Sequence, residues 1–355
     1  MKILFLLPIF KNTGPSNVVV SMINQLISDN EQAVNNKLFL VSFNPCQDGY
    51  ETKFSAAHVK LIQLPGFNLK SLLSLWRLVR NEKIDIVHSH CLLPDIAAPF
   101  IACFNKAKTV ATVHCNVKDN YRNEYRFPKG PLYYFIHKTA LAFIKQKVSV
   151  STSAKLSDNT PIIYNGIQPR TLQLQPSEQL NIVFAGRLIE SKNIRLLMAS
   201  FALLKKQLSK PCQLHIFGDG ELMSDLKAQV AQTNDESIML HGFVSDYLSQ
   251  IPSNSIVVNP SLFEGMPMAV IEAIACNLPV VLSDITAHQE IAKHISEGVV
   301  LHQNTPQSFC DAVMTLIDEQ ERVRFDNTTM LAQFNQHFSN RVMVDNYLAI
   351  YQQLV

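Results

Sequence analysis

The sequence predicts an α/β protein built of two doubly wound, parallel-sheet domains, and three observations carry that prediction. Short apolar runs alternate with longer amphipathic ones along all 355 residues, the pattern of strands covered on both faces by crossover helices. Residues 158–179 interrupt the alternation with Pro161, Asn165-Gly166, Pro169 and Pro176, and hold few apolar residues after Ile167, which marks a linker. The length suits two cores of ordinary size rather than one. The expected domains are 1–160 and 180–335, with a linker over 161–179 and a terminal segment over 336–355.

In the first half, residues 3–7, 38–43, 84–88 and 109–114 are apolar enough to be buried strands. Residues 18–28 and 69–83 lie between them with helical periodicity; in the second, Leu69, Leu72, Leu73, Trp76 and Val79 form one face. The second half repeats the theme, with strands at 181–185, 213–218, 238–240, 256–259 and 280–283 and helices at 194–208, 221–233, 266–275 and 306–318. Residues 338–355 read as a terminal helix. Ligands on such sheets bind beyond the carboxyl ends of the strands, so the cleft between two such domains is the expected site.

Composition removes several classes. Hydrophobic residues make up 47 % and charged residues 17 %, which suits neither a disordered nor a supercharged chain. Glycine occurs only 11 times, where usage of roughly 7 % would give about 25, so each glycine is a candidate for a backbone requirement. The cysteine count is odd (Cys46, Cys91, Cys103, Cys115, Cys212, Cys276 and Cys310) and no C-x-x-C occurs, which encodes neither a disulfide framework nor a zinc site. No apolar run reaches the ~20 residues of a membrane span; residues 91–104 are broken by Pro94, Asp95 and Pro99. The opening MKILFLLPIF has a short apolar stretch and no small-residue cleavage site, and reads as a buried first strand. Net charge is divided: residues 1–177 hold 20 Lys and Arg against 10 Asp and Glu, and residues 178–355 hold 11 against 19. A basic half suits an anionic membrane surface, a phosphorylated acceptor or nucleic acid.

The most informative stretch is 259–284, NPSLFEGMPMAVIEAIACNLPVVLSD. A strand ends near Asn259, a loop carries Glu264, and a helix starting near Pro267 carries Glu272. Backbone N–H groups of Gly265, Met266 and Met268 at a helix start offer an anion site. Carboxylates beside an anion repel it, so Glu264 and Glu272 need another task, and accepting hydrogen bonds from sugar hydroxyls is the natural one. A second stretch, FAGRLIESK at 184–192, sets the planar fork of Arg187 and the mobile charge of Lys192 after a strand, both suited to phosphate.

The E-x7-E within PSLFEGMPMAVIEA resembles the signature of the family-4 retaining glycosyltransferases of the GT-B fold, a fold of two Rossmann-like domains facing a cleft. The resemblance covers nearly the whole chain and is densest over 181–290. It implies that Glu264 contacts hydroxyls of the donor sugar, that Glu272 contacts the nucleotide ribose, and that Arg187 and Lys192 neutralise the donor pyrophosphate. Asn193 stands where the family has glycine after the Lys, and it too tolerates left-handed backbone. HIFGDGE at 215–221 resembles the family's G-x-G strand end, although the full G-x-G-x-x-G fingerprint is absent. LHGFV at 240–244 resembles the segment that holds the base, assigning Phe243 and Val244 there; core packing is the other reading of these two. PIFKNTGPSN at 8–17 resembles the family's Gly-Gly loop at the donor phosphates, with Gly14 matching the second glycine and Thr13 replacing the first. His114 resembles the histidine near the donor's reacting sugar, with a satisfied structural histidine as the other reading. His88 and His90 match a family segment, and packing is their first reading. Asn277 and Ala287-His288 also stand where glycines are usual.

Residues 118–147 hold Lys118, Arg122, Arg126, Lys129, Lys138, Lys145 and Lys147 against Asp119 and Glu124, interleaved with Tyr121, Tyr125, Phe127, Tyr133, Tyr134, Phe135 and Phe143. This suits an interfacial helix on anionic lipid or a partly buried solvated helix; no nucleic-acid motif accompanies it. The implied function is a retaining, metal-independent hexosyl- or N-acetylhexosaminyltransferase with a nucleotide-sugar donor as co-substrate and no cofactor. The catalytic residues would be Glu264, His114, Arg187 and Lys192. The acceptor would be a lipid-linked or growing glycan in polysaccharide, lipopolysaccharide or capsule assembly. The expected location is cytoplasmic, peripheral on the inner membrane. Two alternatives stay open: a non-catalytic sugar-nucleotide-binding subunit, and a GT-B hydrolase or epimerase-like enzyme.

Overall fold

The structure is a computed structural model that describes residues 1–29, 37–46, 58–125 and 127–355. It divides into two units, Met1–Ile167 with Asn340–Val355, and Gln168–Ser339.

The first unit runs β1 (Ile3–Leu7), α1 (Gly14–Asp29), β2 (Leu38–Ser42), β3 (Val59–Gln63), α2 (Leu69–Glu82), β4 (Ile86–His90), α3 (Leu92–Ala102), β5 (Lys108–Val113), α4 (Val117–Glu124), α5 (Lys129–Ala142) and β6 (Gln146–Ser149). Among the described residues its sheet is six-stranded, in the order β3-β2-β1-β4-β5-β6, and every pairing is parallel. The strand order therefore reverses beside β1. The central strands β1, β2 and β4 are buried along their whole length, because helices cover both faces of a doubly wound sheet. One core forms where α2 and α3 lay Leu75, Val79, Ala97, Ala98 and Ile101 on Leu4, Leu6, Phe39 and Val87.

The second unit repeats this plan with β7 (Leu180–Ala185), α6 (Ile194–Gln207), β8 (Cys212–Phe217), α7 (Met223–Thr233), β9 (Ile238–Gly242), β10 (Ser255–Asn259), α8 (Met268–Ala275), β11 (Val280–Ser283), α9 (Thr286–His294), β12 (Val299–His302), α10 (Pro306–Met314) and α11 (Asn327–His337). Its parallel order is β12-β11-β10-β7-β8-β9, reversing beside β7. The two-domain α/β class read from the sequence is thus the observed one.

Several details differ from the sequence expectation. Strands β3, β6 and β12 lay outside it, and all three are sheet edges. An edge strand needs only one apolar face, as the burial of Val59, and not Lys60 or Gln63, along β3 illustrates. Strand β4 begins and ends two residues later than the expected 84–88, which puts His90 at its carboxyl end. Helix α3 forms despite its prolines; Pro94 falls in the first turn, where no N–H is needed, and Pro99 lies inside. The units divide after Ile167, within residues 161–179. Ile162 bridges to Ser149 in the first unit, and Gln175 bridges to Pro252 in the second.

The last helix, Asn340–Leu354, belongs to the first unit. Its Tyr351 hydroxyl lies 2.6 Å from His88 Nδ1 and its Tyr347 hydroxyl 2.7 Å from Thr112 Oγ1. His88 Nε2 meets the same Thr112 hydroxyl at 2.7 Å. Burial pushes the His88 pKa down to about 3, so this network is neutral at pH 7. A neutral imidazole inside a core is tolerable because both nitrogens have partners. Tyr351→Phe strands His88 Nδ1 and should lower unfolding stability by about 1–3 kcal/mol. Urea or thermal denaturation measures this, and an unchanged midpoint would refute the network's role.

Candidate active site

The loops that leave β7 and β10, the neighbouring strands at the reversal of the second sheet, carry most of the candidate residues. After β7 the chain runs through Gly186 and the exposed Arg187 to a 3₁₀ turn, Glu190–Lys192. The course of this loop is set by glycines of the next strand end. A Cβ on Gly218 would stand 1.8 Å from the Gly186 carbonyl oxygen, and one on Gly220 2.5 Å from that of Leu188. Both glycines also have positive φ, +145° and +156°, which side chains rarely adopt. The approach is sealed by Gly186 N–H to Phe217 O and Leu188 N–H to Asp219 O, both 2.9 Å. Asn193 then turns the chain into α6 with φ 54° and ψ 40°, the left-handed conformation expected of it.

Lys192 and Glu264 form an ion pair with side chains only 18 % and 12 % exposed. The same Glu264 oxygen accepts from Asn259 Nδ2 at 3.2 Å and lies 2.8 Å from Ser261 Oγ. Burial would raise the Glu264 carboxyl; the Lys192 ammonium, aided by the Ser261 hydroxyl, overrides it and holds the group below the usual range. Ser261 is itself tied down, since Ser283 Oγ donates to its carbonyl at 2.5 Å. His288 Nδ1 lies 2.8 Å from the Ser283 carbonyl, and its buried Nε2 makes no hydrogen bond. Asn259, Ser261, Ser283 and His288 are all buried. Sequence reasoning missed Asn259, Ser261 and Ser283 as supports; the available signal was polar residues at the carboxyl ends of otherwise apolar strands.

Helix α8 starts at Met268, two residues later than expected. Met266 precedes a proline and is kept out of helical backbone, so Gly265 and Met266 lie in the entering loop. Pro267 takes the cap position with ψ 101°, and no side chain caps the first turn. Glu272 sits one turn into the helix. Burial pushes its carboxyl up to about 7, partly offset by the Tyr247 hydroxyl and Arg170. Arg170 is paired with Asp246 at 2.7 Å. Glu264 precedes the helix, so the helical rise does not set its distance from Glu272. At the end of β9, Phe243 is 58 % exposed, which removes core packing as its explanation; Val244 is half-buried.

In the first unit, Gly14 opens α1 after the loop leaving β1. Thr13, which replaces a glycine of the family pattern, has its hydroxyl 3.1 Å from Ser16 Oγ. His114 follows β5 directly and meets His90, the last residue of β4, with His114 Nε2 2.8 Å from His90 Nδ1. Burial lowers the His114 pKa to about 4. The basic aromatic segment is two helices, α4 and α5. Tyr121, Tyr133 and Tyr134 pack inward with Leu141 and Ile144, and the Tyr121 hydroxyl and Asp95 Oδ2 lie 3.1 Å and 2.7 Å from the two His137 ring nitrogens. Leu132, Phe135 and Phe143 face outward along α5 and its end, and Phe127 is 87 % exposed. Arg126 lies outside the described residues.

Residues 179–319 match the family model described as Glycosyl transferases group 1, and residues 38–169 match Glycosyltransferase Family 4. The UDP-Gal:alpha-D-GlcNAc-diphosphoundecaprenol alpha-1,3-galactosyltransferase of Escherichia coli is 27 % identical over 277 residues, 71 % of each chain. A Campylobacter jejuni N-acetylgalactosaminyltransferase that acts on N-acetylgalactosamine-N,N'-diacetylbacillosaminyl-diphospho-undecaprenol is 24 % identical over 286 residues, 74 % of each chain. Among solved structures, Anabaena HepE in complex with UDP-glucose matches with a TM-score of 0.78 at 14 % identity, covering 99 % of this chain and 100 % of that one. This last likeness shows the fold.

The Lys192–Glu264 pair makes a direct test. A carboxyl held below its unfolded value adds stability above the ordinary carboxylate range and loses it as pH falls. Lys192→Met leaves burial unopposed by a cation and should raise the Glu264 pKa, read by ¹³C chemical-shift titration of its carboxyl carbon. A carboxyl that stays low in the variant would show that Lys192 is not what holds it.

Proposed function

Because the chain belongs to the group 1 glycosyltransferases of the GT-B fold, we propose that it moves a sugar from a nucleoside-diphosphate sugar to a hydroxyl of a lipid-linked or growing glycan. UDP is the favoured nucleotide and surface-polysaccharide assembly the favoured setting. The Escherichia coli and Campylobacter jejuni relatives, whose names place them on undecaprenol-linked glycans, support that acceptor class.

The observation that carries this reading is the ion pair of Lys192 and Glu264 at the strand-order reversal. A carboxylate already ionised and held by Lys192, Asn259 and Ser261 is an acceptor with fixed direction, which suits sugar hydroxyls. The diphosphate is the natural competitor for the Lys192 ammonium, with Arg187 beside it on the same loop. Together with the uncapped start of α8, near Gly265, Met266, Pro267 and Met268, they would stabilise the charge that builds as the nucleoside diphosphate leaves. That chemistry is the task a divalent metal performs elsewhere, hence the proposal of metal independence. Glu272 would accept from the ribose, Phe243 and Val244 would hold the base, and Gly14 and His114 would act on the donor from the first unit. Retention of configuration follows from the family reading, since no carboxylate among these residues is assigned as a nucleophile.

One observation favours a second reading. Glu264 is held low while Glu272 is raised to about 7, and a split carboxylate pair suits glycoside hydrolysis. Release of free sugar at the transfer rate, with no acceptor present, would make that the better account.

Outward-facing Leu132, Phe135 and Phe143 alongside exposed Lys129, Lys138 and Lys145 support peripheral contact with an anionic membrane, on the cytoplasmic face. Among the described residues no helix is long and apolar enough to cross a membrane.

Two experiments test these proposals. A thermal-shift screen against UDP-, GDP- and ADP-sugars identifies the donor by its stabilisation; with it, Glu264→Gln should fold normally and lose at least about a hundredfold in transfer. Wild-type transfer by that variant would sink the assignment. Flotation with phosphatidylglycerol vesicles should weaken as salt rises and as Phe135→Asp is introduced, whereas equal binding to phosphatidylcholine would count against the membrane face.

A further inference from the structure

Two histidines at adjacent strand ends of the first unit meet nitrogen to nitrogen. His90 is fully buried at the end of β4, and its ring lies 5.1 Å from that of His114 with Nδ1 2.8 Å from His114 Nε2. The chain leaves His90 through Cys91, which holds φ 73° without being glycine, a strained conformation of the kind functional sites retain.

The contact requires one proton between the two nitrogens, so one ring donates and the other accepts. Burial keeps both rings neutral near pH 7, and each then carries a single N–H. If His114 Nε2–H donates, the His90 proton must sit on Nε2, which is buried and has no hydrogen-bond partner. If His90 Nδ1–H donates, that buried Nε2 is only a lone pair. A buried N–H without an acceptor is the rarer and costlier defect. His88, whose ring centroid lies 4.4 Å from that of His90 at a tilt of 32°, does not change the count. Both of its nitrogens are engaged, by Tyr351 and Thr112.

We infer that His90 fixes His114 in the Nδ1–H tautomer, so that His114 presents a hydrogen-bond donor rather than a lone pair at the carboxyl edge of the first sheet. A fixed N–H suits an oxygen acceptor, either a sugar hydroxyl oxygen or a diphosphate oxygen. His90 is then a positioning residue that acts through His114. Its effect on transfer rests on the reading that His114 acts on the donor; the tautomer itself does not.

Long-range ¹H–¹⁵N correlation on histidine-labelled full-length protein reads the tautomer directly. The wild type should show His114 protonated at Nδ1 and bare at Nε2. His90→Phe should return His114 to the Nε2–H form that an unconstrained histidine favours, while His90→Asn, which keeps an N–H at that place, should preserve Nδ1–H. With UDP-galactose or whichever donor the screen selects, His90→Phe should lower kcat/KM roughly tenfold, the scale of one hydrogen bond, and His90→Asn should restore most of it. In a His114→Ala background His90→Phe should add nothing. Nε2–H on His114 in the wild type overturns the inference, as does a tautomer unmoved by His90→Phe in a folded variant. Should His90→Phe fail to fold, the wild-type and His90→Asn spectra still decide. A correct tautomer with no transfer from any donor upholds the inference and removes the glycosyltransferase reading instead.

Discussion

In each sheet the strand order reverses once, and that constraint decides where polar chemistry can be kept. At the reversal the connections from two neighbouring strands leave toward opposite faces, which opens a crevice beyond their carboxyl ends. Elsewhere the central strands are covered on both sides and mostly apolar, and the polar groups they do bury, such as His88 with Thr112 and His215 with Asn181, are hydrogen-bonded to one another. The second unit puts Arg187 and Lys192 after β7 and Glu264 after β10, the two strands that flank its reversal. The first unit puts Gly14 after β1 and His90 at the end of β4, which flank its own. The candidate residues are scattered through the chain because the strand order is, and most of them follow the strands that flank a reversal, while His114 follows β5 and Phe243 follows β9.

Burial acts on both carboxylates, and the neighbours decide the outcome. Glu264 and Glu272 are both withdrawn from water. Glu264 faces an ammonium and ionises easily; Glu272 faces a tyrosine hydroxyl, and the cation near it, Arg170, is already bound to Asp246. Glu264 is ionised and paired with Lys192, the arrangement on which the proposed exchange rests. On the proposed function, an incoming diphosphate would compete for the ammonium, and hydroxyls of the attached sugar would compensate the carboxylate that is left. Each half of the donor would then replace one half of the resting ion pair, and neither charge need be stranded.

How much of this was legible in the sequence depended on whether a residue's task is local. Glu264, Arg187 and Lys192 stand in short loops between a clear strand and a clear helix, and their neighbours identify them. The left-handed turn at Asn193 was legible for the same reason. The edge strands β3, β6 and β12 were not, because half of each faces water and their alternation is weak over 4 or 5 residues. Nor was the start of α8, where Pro267 looked like a first helical residue and is instead a cap. Least legible were the supports. Ser283 matters because its hydroxyl reaches the Ser261 carbonyl, a contact between two strand ends 22 residues apart that leaves no local trace.

The histidines of the first unit carry this point furthest. His88 and His90 lie on one strand, two residues apart, and the motif does not distinguish them. Yet His88 is fully engaged, through Thr112 on the next strand and Tyr351 some 263 residues away. His90 has one nitrogen satisfied and one bare. A buried imidazole with two partners is inert, since its protons are spoken for. One with a single partner must choose where its proton sits, and that choice is imposed on the neighbour. Tyr351 and Thr112 engage both nitrogens of His88, so the His90–His114 contact is left to those two rings.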